Sequence, residues 1–263
     1  MFVILIHSSK TMRQASPKKA MYQQPALLDE ARELAAYLIS LTPQEIQSSM
    51  KLSKQKAAET HALIQNWSSE PIDQLPAIDA FLGDIYSGLQ VTSFSEKERS
   101  RANQSLYILS GLYGVLRALD SVYPYRLEMG YRLPDPQYKN LYTFWGEKIA
   151  NQLLNDRTII NLSAVEYTKA VFPHLPSSQT IISPKFLTID PTSGEPKFVV
   201  VHAKIARGAF AHWLIKSAIE SESRLKEFSE LHYRYSEELS TASEPVFICE
   251  KFGGLGLSVR VTK

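Results

Sequence analysis

The sequence predicts an α/β fold of mixed α+β type, a single large domain spanning residues 1–263. Three observations carry this prediction. The chain opens on Phe2-Val3-Ile4-Leu5-Ile6, an unbroken apolar and β-branched run of the kind that forms a central strand covered on both faces. A helical subregion follows at about 26–68, and from there strands and helices alternate to the C-terminus, with no repeat, low-complexity tract or linker to divide the chain.

The elements are justified in order. Leu27, Leu28, Ala31, Leu34, Ala35 and Leu38 recur at three-to-four spacing, the period of a helix with one buried face. Thr42-Pro43-Gln44-Glu45 supplies an N-cap, a proline at the first helical position and a capping glutamate. Ser95-Glu96-Lys97-Glu98 is a second capping box, opening a helix that should end before apolar Leu106 to Leu109. Tyr123 to Met129 alternates Tyr125, Leu127 and Met129 with Arg126 and Glu128, the period of a strand. Helix returns over Leu141 to Leu154. Strands are expected at Thr158 to Leu162, Ile181 to Ile189, Phe198 to His202 and Val246 to Phe252, with a short helix from Ser163. A long helix is expected at about 205–220, turning Ala206, Ala209, Phe210, Trp213, Leu214 and Ala218 inward.

Composition narrows the function classes. Lysine plus arginine number 29 and aspartate plus glutamate 27, a net charge of +2 that excludes a general basic coat for nucleic acid. A single cysteine, Cys249, excludes an internal disulfide framework and a multi-cysteine metal site, and fits a reducing cytoplasm. The opening apolar run is too short to span a membrane and has no basic residues before it, so no membrane partner is expected.

The cations are unevenly spread. Lys10, Arg13, Lys18 and Lys19 precede the first acid after the opening strand, Asp29, and Lys197, Lys204, Arg207 and Lys216 occupy an acid-free stretch between Glu195 and Glu220. Lys10-Thr11 is not a P-loop, because Ser9 and Ile4 stand where that motif requires glycine. A local anion site remains open there beside a solvated basic loop. Lys204 and Arg207 are placed in the first turn of their helix, where an arriving anion would compensate them, with Gly208 allowing close approach; the alternative is surface cations lying over apolar stems.

Arg126 and Glu128 share a strand face, as a cleft ion pair or an acid/base element. Ser163 and Glu166 match a capping box, while Lys169 is freer. Leu109 to Leu116, with Gly111 and Gly114, is similar to the hairpin of a helix-hairpin-helix element, whose glycines present N–H groups to DNA phosphates; a glycine turn between a strand and a short helix would look the same. Gly253-Gly254-Leu255-Gly256 reads as a turn and Cys249 as core. Six histidines form no His-x-x-x-His pair, so no metal ligand set is nominated and no cofactor is expected.

Together the blocks FLGDIYSGL, LSGLYGVLRALDSVYPYRLEMG, LYTFWG, INLSAVEYTKAV and AKIARG resemble the YaaA-type peroxide-stress proteins in order and approximate spacing. The resemblance implies a bacterial cytoplasmic protein that limits free intracellular iron under peroxide stress, with a mixed α/β fold and a basic cleft. It also implies DNA binding through a helix-hairpin-helix-like element, which falls on Leu109 to Leu119. The family's charged signature falls on Lys10, Asp120, Arg126, Glu128, Glu166, Lys169, Lys204 and Arg207. The usual Ser-Pro-Ala-Lys-Thr after the first strand is here His7-Ser8-Ser9-Lys10-Thr11, and the usual proline after Leu116-Arg117 is Ala118. The family's C-terminal Gly-Tyr pair looks like His232-Tyr233.

Two functions follow as expectations. In the first, DNA is bound by Lys10, Arg126, Lys169, Lys204 and Arg207 with Gly111 and Gly114. In the second, the same charges meet in a pocket for a small anionic ligand, a phosphorylated or nucleotide-like substrate, with Glu128 or Glu166 as general acid or base. Direct iron chelation by Asp120, Glu128 and Glu166 is a third idea, lacking a histidine motif to complete a site.

Overall fold

The computed structural model describes residues 1–13, 23–70, 74–153 and 156–254. Lys18, Lys19, Leu154, Leu255 and Gly256 lie outside these residues. The fold is α/β, with one continuous hydrophobic core running from Phe2 to Cys249. The opening run forms strand Val3–His7, buried at every position, at the centre of a five-stranded sheet. The order across that sheet is Gly114–Arg117, Leu106–Ser110, Val3–His7, Ile159–Asn161 and Ile181–Ile182. Val3–His7 runs parallel to both neighbours, with Ile4 opposite Leu106 and Val3 opposite Ile159. Ile159–Asn161 is in turn parallel to Ile181–Ile182, so four strands share one carboxyl edge, and only Gly114–Arg117 runs against them.

The helical subregion resolves into helices Leu28–Ser40, Pro43–Met50 and Lys54–Gln65. The first buries Leu28, Ala31, Leu34, Ala35 and Leu38, the expected face. Both capping boxes form: Glu45 accepts the Thr42 N–H at 2.8 Å, and Glu98 accepts the Ser95 N–H at 2.7 Å at the head of helix Glu96–Ser105.

Several elements differ from expectation. Tyr123 to Met129 keeps its alternating burial, but only Ser121–Val122 before it is paired as strand. The helix expected from Leu141 is broken at Gly146, whose φ of +46° ends Leu141–Trp145 before Lys148–Asn151 begins. Ile181 to Ile189 is two strands, Ile181–Ile182 in the first sheet and Lys185–Ile189 in the second, because Pro184 cannot continue a ladder. The second sheet has the order Pro196–Lys197, Lys185–Ile189, Val246–Cys249, Arg234–Ser236, so the last expected strand stops at Cys249, which is buried.

Phe198 to His202 is not a strand. The long helix starts at Val200 and runs to Lys216, and its alanine-rich continuation, buried through Ala203, Ala206, Ala209 and Ala211, overrides the β-branched composition at its start. Phe198 and Val200 are exposed, Trp213 is half-buried, and Ala218 lies past the helix on the surface.

Leu109 to Leu119 is not a helix-hairpin-helix. It is an antiparallel β-hairpin in which Ser110 pairs with Gly114 and Leu109 with Val115. Both glycines face protein: a Cβ on Gly111 would lie 2.5 Å from the Leu127 carbonyl oxygen, and one on Gly114 would lie 2.8 Å from the Trp145 ring. Trp145 closes the turn by donating its indole N–H to the Gly111 carbonyl at 3.1 Å. Glycine here serves close packing.

Gly208 likewise serves packing. A Cβ there would stand 1.8 Å from the Ile85 carbonyl oxygen, and one on Gly88 would stand 2.0 Å from the Ile205 carbonyl oxygen. Helix Val200–Lys216 and helix Asp84–Leu89 thus cross backbone to backbone. Among the described residues no helix is long and apolar enough to cross a membrane.

A charged cleft at the carboxyl edge of the parallel strands

In an open parallel sheet, ligands gather beyond the carboxyl ends of the strands, where successive crossovers leave the central strand in opposite directions. Val3–His7 is such a strand, with Leu106–Ser110 on one side and Ile159–Asn161 on the other. Three adjoining cavities lie at this edge. The first, about 320 Å³, is lined by His7, Lys10, Asp84, Glu128, Glu166 and Lys204 among others. The second, about 710 Å³, shares Glu128 and Glu166 with it and adds Lys51, Arg132 and Lys169. The third, about 460 Å³, shares Lys169 and Val165 with the second and adds Ser163 and Arg207.

The cleft is therefore graded in charge. Its first cavity mixes two lysines with three carboxylates, and its third gathers Lys169 and Arg207 beside a Lys185–Glu244 pair closed at 2.6 Å. Among the described residues Lys169, Lys204 and Arg207 form no salt bridge. Burial lowers the Arg207 pKa from its ordinary value, the signature of a cation held without a compensating anion.

Lys10 is half-exposed and pairs with Glu128 at 2.8 Å. That hydrogen bond raises the lysine pKa, with a smaller opposing effect from burial. Glu128 thus takes Lys10 as its partner in place of the Arg126 suggested by the alternating pattern. Arg126 lies near Lys10 and Tyr131, and its Nε is buried with no hydrogen-bond partner.

The capping box at Ser163 does not form. Helix Val165–Thr168 is capped by Ala164 without a side-chain bond. Glu166 instead reaches across to accept the Gly130 N–H at 2.8 Å, and Ser163 approaches the imidazole of His7 at 3.3 Å. Lys204 and Arg207 are the fifth and eighth residues of their helix, not its first turn, so the helix dipole does not single them out.

Asp120 is far from any such role. It is buried, accepting the Arg117 N–H and a Gln23 amide, each at 2.7 Å, and burial pushes its carboxyl up to about 6. It ties the loop after the hairpin and lines none of the three cavities of the cleft. Among the described residues no group of three or more His, Cys, Asp or Glu is placed to hold a metal ion.

The structure adds residues that motif reading passed over. His7 ends the central strand and lines the first cavity, its ring stacked on Tyr167 at 4.8 Å. Tyr167 meets the Ser8 hydroxyl at 3.3 Å, and burial raises its pKa well above the ordinary value. Tyr86 donates to the His7 carbonyl at 3.0 Å, fastening helix Asp84–Leu89 to the strand end. The available signal was a polar residue at the last position of an unbroken apolar strand, the position that faces the carboxyl edge.

Fold and cleft together define an α/β protein with a mixed-charge cleft at the carboxyl edge of its parallel strands. A family model described as "Peroxide stress protein YaaA" matches residues 2–239. A "UPF0246 protein" from Salinispora tropica is 52% identical over 258 residues, covering 98% of each chain. The chain belongs to the peroxide stress protein YaaA family.

Proposed function

We propose that this chain contributes to peroxide resistance in the cytoplasm by binding DNA along the cleft. Phosphates would lie on the basic second and third cavities and not on the Gly111–Gly114 hairpin. The observation that carries this reading is Arg207, half-buried, its pKa lowered by burial and without a salt bridge among the described residues, in the same cavity as Lys169. A buried cation without a partner is costly unless a ligand supplies the anion. Lys10, Arg126 and Lys204 extend the positive charge toward the strand end. Limiting free intracellular iron is the cellular outcome that the family resemblance attaches to this binding, and the iron content of peroxide-challenged cells reads it.

Duplex and damaged-duplex DNA, titrated at two salt concentrations, tests the proposal. Each phosphate contact contributes about 0.9 to the log–log salt slope, so Arg207→Ala and Lys169→Ala should each lower it by about that amount. Absence of binding at low salt, or slopes unchanged in both variants, removes the reading.

A second reading has its own observation. The first cavity encloses Asp84, Glu128 and Glu166 with Lys10 and Lys204, charge of both signs in a space that fits a small phosphorylated or nucleotide-like substrate. There Glu128 or Glu166 would move a proton and the lysines would steady developing negative charge. Thermal shifts of wild type, Lys10→Ala and Arg207→Ala across a library of phosphorylated metabolites test it, and a library with no stabilising member counts against it.

A further inference from the structure

Resting on the reading of the cleft as a phosphate-binding site, we propose that His7 is a neutral hydrogen-bond donor to a bound phosphoryl oxygen, forming with Lys204 and Arg207 a subsite specific for phosphate. The Ala164 backbone N–H donates to His7 Nδ1 at 3.1 Å, and a backbone amide has no alternative role. Nδ1 is therefore the unprotonated nitrogen, and the ring proton sits on Nε2. Ser163 Oγ, 3.3 Å from the same Nδ1, can only donate to it.

This excludes the obvious alternative, a serine–histidine nucleophile pair. Nδ1 already accepts the Ala164 amide, so His7 is poorly placed to take the Ser163 proton, and His7 is also a weak base here. Burial, then the positive charges of Arg207 and Lys204, push its pKa down to about 3. Facing it are Lys204 and Arg207 from the long helix, Tyr167 stacked on the ring, Ser163 and Ala164 at Nδ1, the Tyr86 hydroxyl at its carbonyl, and across the first cavity the carboxylates Asp84, Glu128 and Glu166. Of these carboxylates Glu128 is held by Lys10 and Glu166 by the Gly130 N–H, so that burial and the two cations govern the ring.

Nε2–H is what remains. His7 is only 8% exposed, yet it lines the first cavity, and among the described residues Nε2 has no hydrogen-bond partner. Two cations without a salt bridge among the described residues act on the ring, Lys204 from the first cavity and Arg207 from the third. An oxyanion drawn to the ring by both would receive one neutral hydrogen bond and the attraction of two charges. A neutral donor also leaves the site's charge constant across the physiological range, so that binding there would not be switched by mild acid.

The probes are inorganic phosphate and a short single-stranded oligonucleotide, which separate a free phosphate from a phosphodiester as the source. Imidazole nitrogen spectra of the labelled wild-type protein should show a protonated Nε2 and a bare Nδ1 at His7 from pH 8 to pH 5, with Nε2 shifting when a probe binds. His7→Asn can keep an acceptor for Ala164 but has no donor at the Nε2 position, and should weaken the probe that binds by about tenfold or more. His7→Gln, which carries an N–H near that position, should stay within a few-fold of wild type. The inference is overturned if His7 shows an Nδ1 proton, if it titrates between pH 5 and 8, or if Asn and Gln variants bind alike. If wild type binds neither probe, or Lys204→Ala and Arg207→Ala bind as wild type does, the cleft reading itself falls and takes the subsite with it; normal binding with unaffected His7 variants sinks the subsite alone.

Discussion

Replacing Gly208 by alanine sets two physical effects against each other. Alanine in a helix interior is favoured over glycine by about 1 kcal/mol, so propensity alone makes Gly208→Ala stabilising. Packing points the other way. The new Cβ would lie 1.8 Å from the Ile85 carbonyl oxygen and 2.7 Å from the Leu89 nitrogen, both backbone atoms that no rotamer change can move. Ordinary contact begins near 3.4 Å, so helix Asp84–Leu89 must withdraw by roughly 1.5 Å from a close-packed position. Overpacking costs about 1–3 kcal/mol, and a backbone obstacle belongs at the top of that range. The net expectation is a loss of about 2 kcal/mol, or a fall in Tm of about 4–8 °C for a chain of this size. Urea unfolding followed by circular dichroism measures it, with an unchanged slope showing that stability and not the unfolded state has moved. Because the displaced helix carries Asp84 and Tyr86 to the first cavity, ligand binding should weaken in the same variant. A Gly208→Ala protein as stable as wild type, or more so, would refute the backbone-contact argument.

Two further predictions concern charge. The carboxyl of Asp120 is raised from 3.8 to about 6 in the fold, so the folded state binds its proton more tightly; the stabilisation is full below about pH 4 and is lost as pH rises through 6. The stability advantage of wild type over Asp120→Asn should therefore shrink between pH 4.5 and pH 7 in urea melts, and a gap that widens would contradict the burial argument. Glu128→Gln removes the partner of Lys10, a half-exposed pair worth at most about 1 kcal/mol, and should raise affinity for DNA up to about fivefold. Weaker binding in that variant would mean that Glu128 itself contacts the ligand.

What was legible in the sequence is what depends on local chemistry. The opening strand, the face of helix Leu28–Ser40 and both capping boxes follow from residues within a few positions of one another. The misreadings come partly from neighbouring sequence and, at the site, from long-range partners. Phe198 to His202 has strand composition, but the buried alanine run after it draws Val200 into a helix. The glycines at 111 and 114 have the spacing of a helix-hairpin-helix turn, but they sit in a β-hairpin where Leu127 and Trp145 occupy the space a side chain would need. Ser163 and Glu166 have capping-box spacing, yet His7 and Gly130, both distant in sequence, engage them instead. Of the charged residues singled out, Lys10, Glu128, Glu166, Lys169, Lys204 and Arg207 do come together in the adjoining cavities, Arg126 stands beside Lys10, and Asp120 stands apart. His7 was marked only by its place at the end of an apolar strand; what gives it a role, the amide that sets its tautomer, lies 157 residues away.

The position of the first strand also bears on how the chain is made. Val3–His7 leaves the ribosome before every other strand, yet its two neighbours are supplied near Leu106 and Ile159. At synthesis rates of about 5–20 residues per second, the first pairing partner arrives roughly 5–20 s later, and the second some seconds after that. Throughout that interval this apolar β-forming segment of the nascent chain has neither of its ladder neighbours. Newborn copies should therefore depend on chaperone shelter more than a fold with a late central strand would, and cells under oxidative attack would need that shelter intact to produce this protein at all.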